Sequence, residues 1–214
     1  NPKKEVKVAT WLKLANAYMD AYNAPAGSLF TNVPRIQLQQ MPGYKPAASV
    51  EEIVIAGVPY KKETYDDKVL YFDASDMLQM IVITNPVYED ALAEALAAYA
   101  KAAELDVKGS KTKDIKAAIE LVGAKYFDEG MVQYNLGNYD AAADLIAKAA
   151  DAVLTAPVSK VDTTYTYYAG YIYNQAGKYE QALTYFDRCI EAGYYAEEGN
   201  LFPALADVYM KLGD

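Results

Sequence analysis

The chain of 214 residues has no histidine, one cysteine (Cys189) and two arginines (Arg35 and Arg188). Each shortage excludes a chemistry. Without histidine there is no imidazole base, no Ser-His or Cys-His dyad and no His-bearing zinc site. A lone cysteine forms neither an internal disulfide nor a Cys-rich metal site. Two arginines are too few for a surface that grips phosphates bidentately. The 29 acidic against 20 basic residues leave a net charge of −9, which repels a nucleic-acid backbone. No apolar run approaches the roughly 18–20 residues of a membrane span, so no transmembrane segment is expected. The P-loop, the G-x-G-x-x-G turn, H-E-x-x-H and the nucleophile elbow are all missing. The expectation is a non-enzymatic protein with no catalytic residue, no cofactor and no metal.

Isolated candidates take ordinary readings. Asp66-Asp67, Glu51-Glu52 and Glu197-Glu198 are adjacent pairs that diverge on a helix or a strand, and they read as solvated surface. Asp73-x2-Asp76 lacks the alternation and closing Glu of a calcium loop and reads as a turn. Cys189, in Phe186-Asp-Arg-Cys-Ile, reads as a buried structural thiol.

What the chain has is apolar surface and tyrosine. Hydrophobic residues make up 53%, enough for a core, and there are 21 Tyr against 5 Phe and 1 Trp. It also repeats itself. Asn174-Gln-Ala-Gly177-Lys-Tyr179-Glu-Gln-Ala182 parallels Asn135-Leu-Gly137-Asn-Tyr139-Asp-Ala-Ala142, and Lys211-Leu-Gly213-Asp214 begins a third copy. The glycines lie 40 and then 36 residues apart. Each ends a helical segment where positive φ is needed, and the Tyr just after the first two opens the next helix.

This pattern resembles the tetratricopeptide repeat (TPR) family, whose unit of about 34 residues is a helix–turn–helix. Ala169-Gly170-x2-Tyr173 with Ala182-x3-Phe186 matches the two helices, although Thr166 stands where an aromatic is usual. Tyr126, Gly130, Ala142 and Ile146 form a second copy, in which Glu129 replaces the usual Leu and Gln133 the usual Tyr. Phe202-x2-Leu205-Ala206-x2-Tyr209 is a half-copy. Trp11-x2-Leu14-Ala15-x2-Tyr18 is a first helix whose partner, Ala95-x3-Tyr99-x2-Ala102, comes about 75 residues later. The implied fold is mainly α: a TPR-like superhelix formed by 1–22 and 87–214, the last repeat incomplete.

Residues 23–86 interrupt it. Pro25, Pro34, Pro42 and Pro46 rule out a long helix early in the stretch. Glu52–Ala56, Lys68–Phe72 and Leu78–Thr84 are short β-branched and aromatic runs, with Asp73–Asp76 as a hairpin loop. A small antiparallel meander of two to four strands is expected. It ends at Asn85-Pro86, with the proline near a helix start.

The family lines its concave face with first helices. Beside the packing stripe, the adjacent stripe is Leu12, Asn16 and Met19, then Phe127, Met131 and Tyr134, then Tyr167, Tyr171 and Asn174. It fades at Pro203, Asp207 and Met210. Such a face suits a peptide with apolar anchors, so the resemblance implies a protein- or peptide-binding scaffold. Asn16 matches an Asn of the family's carboxylate clamp, but Leu12 and Phe127 stand where charge belongs, so that clamp is not implied. The alternative is an exported bacterial cell-envelope lipoprotein in an assembly or nutrient-uptake complex. The opening Asn1-Pro2-Lys3-Lys4 fits a removed signal peptide or a trimmed terminus, and a periplasmic or envelope location is favoured over the cytoplasm. Leu205, Val208, Tyr209 and Leu212 would be half uncovered. That points to a longer native chain, with capping or self-association through this helix as alternatives.

Overall fold

The computed structural model describes residues 7–213; the opening Asn1-Pro2-Lys3-Lys4 and Asp214 lie outside them. Among these residues the chain is mainly helical with one four-stranded antiparallel sheet. The elements in chain order are α1 (Val8–Asn23), α2 (Arg35–Gln39), β1 (Ser49–Ile55), β2 (Val58–Thr64), β3 (Lys68–Phe72), β4 (Leu78–Ile83), α3 (Ala91–Leu105), α4 (Thr112–Asn135), α5 (Tyr139–Ala152), α6 (Thr163–Gln175), α7 (Tyr179–Glu191) and α8 (Leu201–Leu212).

The helices pack as neighbours: α1 on α3, α4 on α5, α6 on α7, each pair against the next, with α8 closing on α7. The repeated glycines explain the turns. Gly137 and Gly177 take φ of +80° and +74°. At each turn the following N–H reaches back five residues, Asn138 to the Gln133 carbonyl and Lys178 to that of Tyr173, both at 2.9 Å. This closure satisfies the last carbonyls of α4 and α6. Inside the pairs, glycine allows close approach. A Cβ on Gly170 would sit 2.6 Å from the Phe186 ring, and one on Gly130 would collide with Ile146. Phe186 and Ile146 are fully buried there.

Two helical cores result. One joins α1, α3 and α4 through Ala15, Ala95, Tyr99, Ala102, Ile115 and Ile119. The other joins α5 to α8 through Ile146, Ile172, Phe186, Cys189, Leu201 and Val208. Tyrosine hydroxyls tie neighbouring helices together: Tyr99 donates to Asn16 at 2.7 Å, Tyr173 to Asp144 at 3.1 Å and Tyr185 to Asp151 at 3.3 Å.

The sheet follows chain order β1-β2-β3-β4. Its period of two sorts β3 cleanly. Leu70 and Phe72 pack with Val33, Leu38 and Leu78, on the face covered by the 24–48 segment and α2. Val69 and Tyr71 pack with Met80 on the other face, against Val132 and Leu136 at the end of α4.

Several sequence expectations need correction. Val58–Thr64 is a full strand paired with both β1 and β3, although its Pro59 and Lys61-Lys62-Glu63 hid it. Helix α3 starts at Ala91 rather than beside Pro86, because Tyr88 first folds back onto the Tyr18 ring, 5.2 Å away between centroids. Helix α4 begins at Thr112, well ahead of the repeat motif. The Asp106 carboxylate accepts from the Lys111 N–H at 2.8 Å and the Thr112 hydroxyl at 3.0 Å, which orders the turn before it. Of the stripe expected to be half uncovered, Leu205 and Val208 are buried, Leu212 is half-buried and Tyr209 is exposed. Asp67 is half-buried and paired with Lys68.

Candidate functional site

The clearest surface feature grows from α4 and α6, the first helices of successive pairs. Phe127 stacks on Tyr165, with centroids 4.8 Å apart and planes at 28°, and meets Tyr168 edge-on at 5.8 Å. Tyr168 meets Tyr167, which stacks on Tyr171 at 6.3 Å and 24° and touches Tyr194 edge-on at 6.2 Å. Burial raises the Tyr134 pKa, and the Tyr171 hydroxyl lies close enough to raise it further. Tyr134 lies 5.5 Å from Tyr139. The rings form a ladder across two helix pairs. Edge-on and offset contacts of this kind add favourable energy beyond area burial.

The ladder is polar at its rims and half in water. Tyr168 and Tyr139 are 37% and 40% exposed, while Phe127, Tyr134, Tyr165, Tyr167 and Tyr171 are half-buried. Burial, then neighbouring tyrosines, push the Tyr134 and Tyr167 hydroxyls above their ordinary range, so both stay neutral donors. At the Tyr165 end the hydroxyl is raised by burial and then by the charges of Asp162, Asp128 and Glu120.

The sequence-derived stripe is distributed as follows. Phe127, Tyr134, Tyr167 and Tyr171 lie together in the ladder, with Met131 half-buried on the same helix. Asn174 is turned instead toward α8: its Nδ2 donates to Asp207 at 2.7 Å and its Oδ1 accepts from Lys211 at 3.4 Å. Met19 is buried in the α1–α3–α4 core, against which Leu12 is packed, and Asn16 accepts from Tyr99. Tyr165, Tyr168, Tyr139 and Tyr194 belong to the ladder but are off the stripe. The run Tyr165-Thr-Tyr-Tyr168 was the signal for two of them, but a single helical period cannot show ring contacts that cross between helices.

Other candidates are occupied within the chain. Both arginines are held by an acid and an aromatic face. Arg35 pairs with Glu63 and lies over Phe72, while Arg188 pairs with Asp151 at 2.6 Å and lies 4.7 Å over Tyr185. Asp73 accepts from the Ser75 and Met77 N–H groups, a plain turn. Burial pushes the Cys189 thiol up to about 11, which keeps it protonated at neutral pH. Among the described residues no group of three metal-ligating side chains converges, and no helix is long and apolar enough to cross a membrane.

A second feature lies away from the ladder. The 24–48 segment and the inner face of β2 and β3 line a half-open cavity of about 620 Å³. Glu63, from the strand hidden in the sequence, projects into its wall and is 1% exposed. Its Oε2 accepts from the Tyr65 hydroxyl at 2.7 Å. Lys68 donates to the Pro25 carbonyl at 2.7 Å and to Asp67 at 2.9 Å. The residues come from segments far apart in the chain, and no local spacing announces them.

No family model, curated protein or solved structure matches this chain.

Proposed function

We propose that this chain is a non-enzymatic binding scaffold whose stacked helix pairs form a TPR-like superhelix and whose aromatic ladder holds an extended or helical segment of a protein partner. The observation that carries the reading is the ladder itself: Phe127, Tyr134, Tyr139, Tyr167, Tyr168 and Tyr171 form a contiguous, partly exposed ring surface across two helix pairs. A contiguous aromatic patch of this kind is uncommon on a surface without a binding role. Tyrosines bury area at low entropy cost and keep a hydroxyl for the rim. The recurring turn at Gly137 and Gly177, and the glycine notches filled by Ile146 and Phe186, support the repeat architecture.

The test starts from peptides selected on the native chain out of a random-sequence display library. Tyr134→Ala combined with Tyr171→Ala is expected to weaken the selected peptides at least about tenfold while the helical circular dichroism is unchanged. Selected peptides that bind the double variant as tightly as the native chain place recognition on another face and sink the proposal.

A further inference from the structure

The cavity beneath the sheet is not used by the scaffold reading, and its wall combines three properties. The first is an unmet hydrogen-bonding need. Arg35 Nη2 engages Glu63 Oε1 in an ion pair, but the buried Arg35 Nε makes no hydrogen bond among the described residues. The Glu63 side chain is only 2% exposed. A buried donor left without an acceptor is destabilising, so such atoms are rare in a packed interior.

The second property is charge balance. The lining carries three cationic side chains (Arg35, Lys45, Lys68) and three anionic ones (Glu63, Asp66, Asp67). The two deepest cations are already paired, Arg35 with Glu63 and Lys68 with Asp67. A charged guest would compete for Arg35 or Glu63, and drawing Arg35 away would leave the buried Glu63 carboxylate unpaired. A neutral guest leaves both pairs intact. The third property is an apolar floor of Leu29, Leu38, Met41, Leu70 and Phe72. The volume of about 620 Å³ falls within the range of small-molecule sites.

We infer that this cavity binds a neutral small molecule with an apolar ring face and an amide or hydroxyl group. The group's oxygen accepts from Arg35 Nε, its hydrogen is donated to Glu63 Oε1, and the ring rests on the apolar floor. Amides and hydroxyls are the simplest neutral groups that supply both an acceptor and a donor.

Three probes of nearly one shape and three charges test this on the full chain: benzamide, benzoate and benzamidine. The readout is the methyl resonance of Met41, which lines the cavity, against those of Met131 on α4 and Met210 on α8. Benzamide is expected to shift Met41 alone, with a dissociation constant on the order of 1–10 mM, and each charged probe to bind about tenfold more weakly. Arg35→Gln should weaken benzamide about tenfold, the loss of one hydrogen bond to a charged group. Preference for benzoate makes this an anion site and preference for benzamidine a cation site. Either result overturns the inference, as does a Met41 resonance that none of the probes moves. The charge order is measured on the unaltered chain, so a folding defect in the variant does not decide the outcome.

Discussion

Glu129 stands where the resembling repeat carries Leu, and its surroundings explain how a carboxylate is held there. The Tyr22 hydroxyl faces it and favours its charged form, and the ammonium groups of Lys125 and Lys148 lie nearby, over the Tyr22 and Tyr126 rings at 6.0 and 5.8 Å. Burial nonetheless raises its pKa above the ordinary 4.5, and the hydroxyl and the lysines only partly offset this. The folded state therefore holds this proton more tightly than the unfolded chain, so stability is lost as pH rises from the ordinary carboxylate range through the raised value. Glu129→Gln removes that loss. The variant should gain stability over the native chain at pH 7 and lose the advantage at pH 4, as read from urea midpoints at the two values. A difference that does not change with pH would contradict the burial argument. At this scale the sequence showed Glu129 as a departure but not its cause, since Tyr22 comes from a distant helix. The burial of Cys189 was legible, because its place beside the packing residue Phe186 follows from the helical period.

Among the elements, the β1–β2 hairpin is the least comfortable. Ile55 pairs with Val58 across a two-residue loop, and both loop residues take positive φ, Ala56 at +49° and Gly57 at +83°. Such loops match the right-handed strand twist, and Asn-Gly is their preferred sequence. Ala56 has no side-chain hydrogen bond to offset the left-handed conformation, which costs a non-glycine residue about 1–2 kcal/mol. Ala56→Asn should therefore stabilise the chain by about 0.5–1 kcal/mol, measured as a rise in urea midpoint at constant slope. A fall in the midpoint would show that the loop prefers alanine. The hairpin also shows where sequence reading failed. Strands β3 and β4 were legible from their β-branched and aromatic runs. Strand β2 was not, because Lys61 and Lys62 reach out to Asp76 and Glu51, while Glu63 is carried inward by its pairing with Arg35. Its polar composition reflects ion pairs, and no hydrophobic alternation can report those.

At the scale of the whole molecule, packing is deepest in the middle and thins toward both ends. Helices α4 to α7 touch neighbours on two sides, whereas β1 is an edge strand with Val50 and Val54 exposed, and α8 exposes Phe202, Tyr209 and Met210. Amide hydrogen exchange should be slowest in α4–α7 and fastest in β1 and α8. Equal protection in α8 and α6 would refute this gradient. The paired helices and the meander were legible because helical and strand periods are local properties. The ladder was legible in part, through Tyr134, Tyr167 and Tyr171. The cavity was not legible at all, because its wall is assembled from separate segments.

The long excursion between α1 and α3 has a kinetic consequence. The turns joining α4 to α5 and α6 to α7 are three residues long, so those pairs can close almost as soon as their helices form. Helix α1 must find α3 across residues 24–90. Bringing the ends of so long a loop together costs about 3 kcal/mol more than closing a three-residue turn. Folding of the meander reduces that cost by shortening the effective path between the two helices. The expected order of events is C-terminal pairs first, sheet next and α1 last, and protection of α1 before the sheet in pulsed hydrogen exchange during refolding would overturn it. On that order a destabilising mutation in the meander is expected to slow the docking of α1, read as a slower final refolding phase.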